Sequence, residues 1–155
     1  MFIRVRAAAI IFNQKNELLL VFHRDPETKE EWLTLPGGGI EGDESITDAL
    51  VREVREECCI ECQPGRLVYV REYIDWNKNI HHVGLFFTAQ GASEAVQTGI
   101  DPEVEEQFIV ESRFYSRAEI ENTSVAVYPE TIKFQLWEDA EKNFTGHTIY
   151  LGQQR

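Results

Sequence analysis

"REVREECCI", residues Arg52 to Ile60, carries two arginines and three glutamates in its first six positions. Its reading turns on where those glutamates point. Residues 45 to 58 have helical periodicity, so each residue advances about 100° around the axis. With Ile46 at zero, Leu50 falls at about 40°, Val54 at about 80° and Ala49 at about 300°, a stripe suited to packing on a sheet. Glu53 at about 340° and Glu57 at about 20° lie inside that stripe, and Glu56 at about 280° lies at its edge beside Arg52 at about 240°.

Such a face is costly. Glu53 and Glu57 are one turn apart with like charge, and Glu56 adds a third carboxylate. A buried, unpaired carboxylate costs several kcal/mol. Arg55 projects at about 180°, away from the stripe, and one arginine cannot neutralise three carboxylates. A hard divalent cation can, because it prefers carboxylate oxygen. The wheel therefore predicts a Mg²⁺-type site on the C-terminal half of the helix; its bland alternative is an acidic end overhanging the sheet in water.

The segment just upstream, "LPGGGIEGDE" (35–44), favours the first reading. Glycines let backbone N–H groups approach an anion closely. Asp43 or Glu44 stands at the helix entrance, where negative charge is favoured. A glycine-rich loop leading into three clustered carboxylates suggests a phosphate site, in which the carboxylates hold cations and the cations hold phosphates.

The rest of the chain sets the frame. At 155 residues it is expected to form one domain, residues 1–155, around one core. Its 15 basic and 27 acidic residues give a net charge of −12, which disfavours nucleic-acid polymers and anionic membranes as partners. The longest clean apolar run near the start, Ala7 to Phe12, is too short to span a bilayer. Cys58, Cys59 and Cys62 are too close together to staple a fold, so a reduced, cytoplasmic protein is expected. Cys58 reads as a small buried hydrophobe.

Apolar runs 4–12 and 17–23 flank the polar break Asn13 to Asn16 and read as a hairpin. Residues 31–45 read as a loop, since Pro36 and three successive glycines suit neither strand nor helix. Residues 66–75 and 81–90 read as strands joined by a turn from Trp76 to Ile80, and the acidic stretch 91–107 as a loop. A strand is expected in 108–116, a short helix from Arg117 to Glu121, and a C-terminal helix starting at Pro129. Strands dominate the first two thirds, which suggests a mixed sheet packed between helices.

Gly38, five residues, Glu44, seven residues and "REVREECCI" together resemble the Nudix box, spanning Gly38 to Ile60. The pattern holds at Gly38, Glu44, Arg52, Glu53, Val54, Glu56, Glu57 and Ile60. It departs at Cys59, where the family has glycine. The resemblance implies an α/β fold, a Nudix-type α/β/α sandwich with a mixed β-sheet. It also implies hydrolysis of a nucleoside diphosphate linked to another moiety. Glu53, Glu56 and Glu57 would be ligands of Mg²⁺ (or Mn²⁺), and Glu53 or Glu57 would act on the attacking water. Arg52 would orient a glutamate, Glu44 would support the helix, and Gly38 would shape the loop; Gly37, Gly38 and Gly39 are the loop's candidate substrate-binding residues. Glu103, Glu105 and Glu106 are candidates for a further carboxylate from outside the box.

Substrate identity is less legible. Arg24 and Arg4 are candidate phosphate contacts, and Phe22, Trp32, Tyr73 and Trp76 are candidate base-stacking residues, although aromatics in strands more often fill a core. His81 and His82 alternate, so only one faces inward. Signatures associated with NADH, coenzyme A or RNA-cap specificity are missing, and Pro64 follows the box too closely to mark ADP-ribose. A small nucleotide is the expected partner, and a homodimer is compatible with the sequence. A non-catalytic nucleotide sensor on the same fold is the competing class; retention of all three box carboxylates favours an enzyme. If the family's turn is kept, Cys59 ends the helix in the left-handed conformation, at a cost of roughly 1 kcal/mol.

Overall fold

A computed structural model describes residues 1–154. The N-terminal apolar run forms strand β1 (Phe2–Ile10), and "LLLVFHR" forms β2 (Leu18–Arg24). Both are buried on two faces over their apolar portions, which is why they read as nearly continuous hydrophobic runs. Then follow β3 (Glu31–Thr34), β4 (Gly37–Gly39), helix α1 (Ile46–Cys58), β5 (Cys62–Asp75), β6 (Ile80–Gly91) and β7 (Ile109–Tyr115). The chain continues through α2 (Arg117–Asn122), β8 (Ala126–Tyr128), a 3-10 turn (Glu130–Lys133), α3 (Gln135–Glu141) and β9 (Ile149–Gln154).

The strands form two mixed sheets. One has five strands in the order β4-β1-β6-β5-β9; the other has four in the order β7-β2-β3-β8. The pairs β1–β6, β5–β9 and β3–β8 are parallel. One hydrophobic core lies between the sheets, where Ile10, Leu18, Leu20, Leu33, Tyr69 and Phe86 meet Ile120 of α2 and Trp137 of α3. A second lies under α1, where Ala49, Leu50, Val54 and Cys58 pack on Ala7, Ala9, Ile11, Leu19 and Val21. Leu50 and Val54 are wholly buried, worth roughly 1.5–3 kcal/mol each. The result is the expected mixed α/β architecture.

Three local expectations are corrected, and two strands are added. The Asn13 to Asn16 turn exists, but β1 and β2 enter different sheets and share only the bridge Phe12 to Leu18. The two faces of these strands serve two cores, so they must diverge. The stretch 31–45 is not all loop. It contains β3 and β4, and Gly37–Gly39 pairs antiparallel with β1. Glycine is extended here because the neighbouring backbone leaves no room: a Cβ on Gly37 would lie 2.7 Å from the Ala8 Cα. The C-terminal helix does not run unbroken from Pro129. Phe134, at φ −134° and ψ −62°, separates the 3-10 turn from α3, and the Trp137 indole donates to the Ile132 carbonyl at 2.9 Å. Finally, β8 and β9 went unread, being short strands that complete a sheet only through distant pairings. Among the described residues no helix is long and apolar enough to cross a membrane.

Candidate active site

Helix α1 is fixed at both ends. Ser45 caps its start: its hydroxyl accepts from the Asp48 N–H at 3.0 Å while Asp48 accepts from the Ser45 N–H at 3.1 Å, a reciprocal capping box. Its final residues are strapped by the loop after β6. The carbonyls of Glu56, Glu57 and Cys58 accept from the N–H groups of Ile100, Gly99 and Gln97 at 3.1, 2.9 and 3.1 Å. The buried Ser112 hydroxyl also donates to the Glu57 carbonyl at 2.6 Å. The approach is so close that a Cβ on Gly99 would overlap the Glu56 carbonyl. Cys59 closes the helix in the left-handed conformation (φ 59°, ψ 31°), with its N–H on the Arg55 carbonyl. The box's turn therefore persists without its glycine.

The carboxylates lie where the wheel puts them. Glu57 is 7% exposed and is the helix's only buried charged side chain among the described residues. Its Oε1 accepts from the Gly37 N–H at 2.8 Å. Burial pushes its carboxyl up from 4.5 to about 8, with Glu53 and Asp101 adding to the effect and the Gly37 N–H and Arg6 opposing it. Glu53 is also raised by burial, against the pull of Arg52. Gly38 makes room for it: a Cβ there would come within 2.8 Å of Glu53 Oε2.

Arg52 is the hub. It grips Glu44 with two nitrogens, at 2.7 and 3.1 Å, and reaches Glu53 at 2.9 Å, Glu56 at 3.3 Å and the Gly39 carbonyl at 3.0 Å. Its guanidinium is held above its ordinary range chiefly by the Glu44 hydrogen bond, and Glu44 is held correspondingly low. Arg52 thus ties the loop to the helix and leaves Glu57 to the glycine backbone. Glu53 and Glu56 are drawn to Arg52 and Glu57 to the Gly37 N–H, and among the described residues no set of three His, Cys, Asp or Glu side chains forms a preassembled metal cluster.

The other candidates are dispersed. Arg24 is ion-paired with Glu31 at 2.6 Å on an exposed part of the four-stranded sheet. Trp32 stacks on His23 (ring centroids 5.3 Å apart) with Phe108 against its edge, Tyr73 stacks on His82, and Trp76 is exposed in its turn. His81 bonds Glu72 at 2.7 Å. Glu105 and Glu106 are exposed, and Glu103 is raised by a hydrogen bond with Glu41. Glu103 also senses Glu53, and a second loop residue, Asp101, is felt by both Glu53 and Glu57; Arg6 acts on the same pair with opposite sign. Neither Asp101 nor Arg6 was singled out from the sequence: Asp101 lies in a generally acidic loop and Arg6 in a strand that is apolar apart from it and Arg4.

Residues 2–133 match the NUDIX domain family model. The chain belongs to the Nudix family. Within that family it is 50% identical over 64 residues to an 8-oxo-dGDP phosphatase from Danio rerio, covering 41% of this chain and 19% of that protein. It is 32% identical over 102 residues to the Mus musculus protein of the same description, covering 62% of this chain and 31% of that one. This chain thus spans a third or less of the length of these curated relatives. A NUDIX hydrolase from Nitrosomonas europaea superimposes with a TM-score of 0.70 at 26% identity, over 90% of this chain and 89% of that one. A MutT protein from Methanosarcina mazei shares the fold, with a TM-score of 0.69 at 20% identity over 94% and 97% of the two chains.

Proposed function

We propose that this chain, as a single Nudix domain over residues 1–155, is a nucleotide pyrophosphohydrolase that cleaves a nucleoside diphosphate linked to another moiety. The supporting observation is the pairing on α1 of buried Glu57 with half-buried Glu53, positioned by Arg52 and by the Gly37–Gly39 strand. The 8-oxo-dGDP phosphatase relatives favour an oxidised purine nucleoside diphosphate as the substrate class.

The donor set fits a hard divalent cation. It consists of oxygens from crowded carboxylates, two of which burial pushes up by disfavouring the charged form, a cost that a cation removes. Glu53, Glu56 and Glu57 would hold Mg²⁺ or Mn²⁺, which supplies charge neutralisation for the phosphate oxygens. The protein's own groups do the rest. Arg52 holds Glu53 and Glu56 in place against the loop. Glu53 or Glu57 takes the proton of the attacking water as its oxygen bonds to phosphorus and the bridging P–O bond breaks. In this reading water itself is the nucleophile, so no covalent enzyme intermediate is required. Gly37, Gly38 and Gly39 bring backbone close to the substrate. Arg24 would first have to leave Glu31 to join them.

Hydrolysis of a panel of nucleoside diphosphate derivatives with Mg²⁺ or Mn²⁺, run in ¹⁸O-labelled water, tests this reading. One phosphate-bearing product should acquire label in a single turnover, and activity should vanish in EDTA. Full activity in excess EDTA, or no turnover across the panel, overturns it.

A further inference from the structure

The inner face of the five-stranded sheet changes character abruptly. Ala8, Phe86 and Tyr69 form one row across β1, β6 and β5, and Phe86 and Tyr69 belong to the core between the sheets. The next row on the same face is Arg6, Gly84 and Arg71, and the one after it is Arg4, His82 and Tyr73. Three guanidiniums thus begin where the core ends. Gly84 contributes no side chain between Arg6 and Arg71.

These arginines differ from five of the others in the chain. Arg24, Arg52, Arg55, Arg113 and Arg117 all have a carboxylate within 4.0 Å. Among the described residues Arg4, Arg6, Arg66 and Arg71 have none, and Arg66 lies apart from the other three, its guanidinium on the Gly146 carbonyl. Arg71 bonds the Gln154 amide oxygen and lies over the Tyr73 ring, 5.7 Å from its centroid. Arg4 runs beside Gly39, where a Cβ would lie 2.6 Å from its Nε. Arg6 and Arg4 repel each other, as do Arg71 and Arg6. In a chain of net charge −12, with carboxylates abundant, a cationic cluster left unpaired is not generic surface.

A second observation lies in the same rows. His82 Nδ1 is buried and has no hydrogen-bond partner among the described residues. Its ring stacks on Tyr73, with centroids 5.9 Å apart. Burial, then Arg6 and Arg4, pushes its pKa down to about 4, so the ring is neutral near pH 7. A neutral imidazole can donate or accept at that nitrogen, depending on its tautomer. Buried polar atoms normally find partners, and here a ligand would supply one.

We propose that Arg4, Arg6 and Arg71, together with His82, form a phosphate-binding subsite that holds a phosphate group of the substrate directly, beside the box carboxylates. The inference rests on the diphosphate reading above and adds to it a second, cation-independent hold. Guanidinium forks match phosphate oxygens two at a time, and an anion relieves the mutual repulsion of the three arginines. Balancing Glu53 and Glu57 does not account for the cluster, since those carboxylates take their direct hydrogen bonds from Arg52 and the Gly37 N–H. Arg6, which both carboxylates sense, would carry the diphosphate from one half of the site to the other.

The test uses inorganic pyrophosphate in excess EDTA, where the carboxylates cannot hold phosphate through a cation. Calorimetric titration of the wild-type chain should show binding. Arg4→Gln and Arg71→Gln should each weaken it by about tenfold or more, the loss of one charge-assisted contact. Both variants should keep or raise the ligand-free melting temperature, showing that they fold. In the Mg²⁺ hydrolysis assay they should raise KM with kcat little changed. Absence of binding in EDTA, or variants that bind pyrophosphate and turn over substrate with unchanged KM, overturns the subsite. Arginine-dependent binding in EDTA without hydrolysis of any diphosphate would instead overturn the functional reading and leave the anion site standing.

Discussion

Glu57→Gln in the metal-free protein isolates the cost of the buried carboxyl. Folding raises this group from 4.5 to about 8, chiefly by burial. A group whose pKa is raised on folding binds its proton more tightly in the native state. Its contribution to stability is therefore complete below about pH 4.5 and is lost as pH climbs through about 8. At ~1.4 kcal/mol for each pH step, the loss by about pH 7 is roughly 3 kcal/mol, and it levels off near 5 kcal/mol above about pH 8. Glutamine keeps an oxygen for the Gly37 N–H but does not titrate. Urea unfolding of both proteins in EDTA should therefore give stabilities within about 1 kcal/mol of each other near pH 5. The variant should lead by roughly 2–3 kcal/mol near pH 7 and by more near pH 8.5. The same substitution should lower kcat with Mg²⁺ by roughly a hundredfold or more. Parallel pH profiles for the two proteins, or a variant less stable than wild type near pH 8.5, would refute the argument, because the carboxyl would then be ionised in the native state at no cost.

Cys59→Gly should raise stability by a few tenths to about 1 kcal/mol, since the exposed Cys59 sits at φ 59° and the relief of strain outweighs glycine's greater unfolded-state entropy. Turnover should stay within about twofold; a clear loss of stability in denaturant would show that the thiol packs usefully. Gly99→Ala should push the strap off the end of α1 and cost roughly 1–3 kcal/mol, the result of breaking two or three backbone hydrogen bonds. Amide exchange should then accelerate at Gln97, at Ile100 and at the substituted position between them, and unchanged exchange would argue against a strap. Gly38→Ala should displace Glu53, lowering kcat by at least about tenfold while the far-UV spectrum is retained; wild-type kcat would mean that the glycine merely shapes a turn.

The sequence by itself determined the helix, the direction of its glutamates and the family. A 3.6-residue period fixes which side chains share a face, and three carboxylates beside an apolar stripe report chemistry wherever the helix is placed. The turn at Cys59 was expected only through the family resemblance, and the structure shows the left-handed cap there. Tertiary structure alone decided the rest. The three glycines are a strand because they pair with β1, which leaves no room for a Cβ at Gly37. β8 and β9 exist because distant strands offer edges to pair with, and β1 and β2 part because each must serve two cores. The loop bearing Asp101 came near Glu53 and Glu57 only through the strap on the end of α1. Arg4, Arg6, Arg71 and His82 come from three strands far apart in sequence. Local periodicity assigns each to a face, but only the register of β1, β6 and β5 sets them side by side.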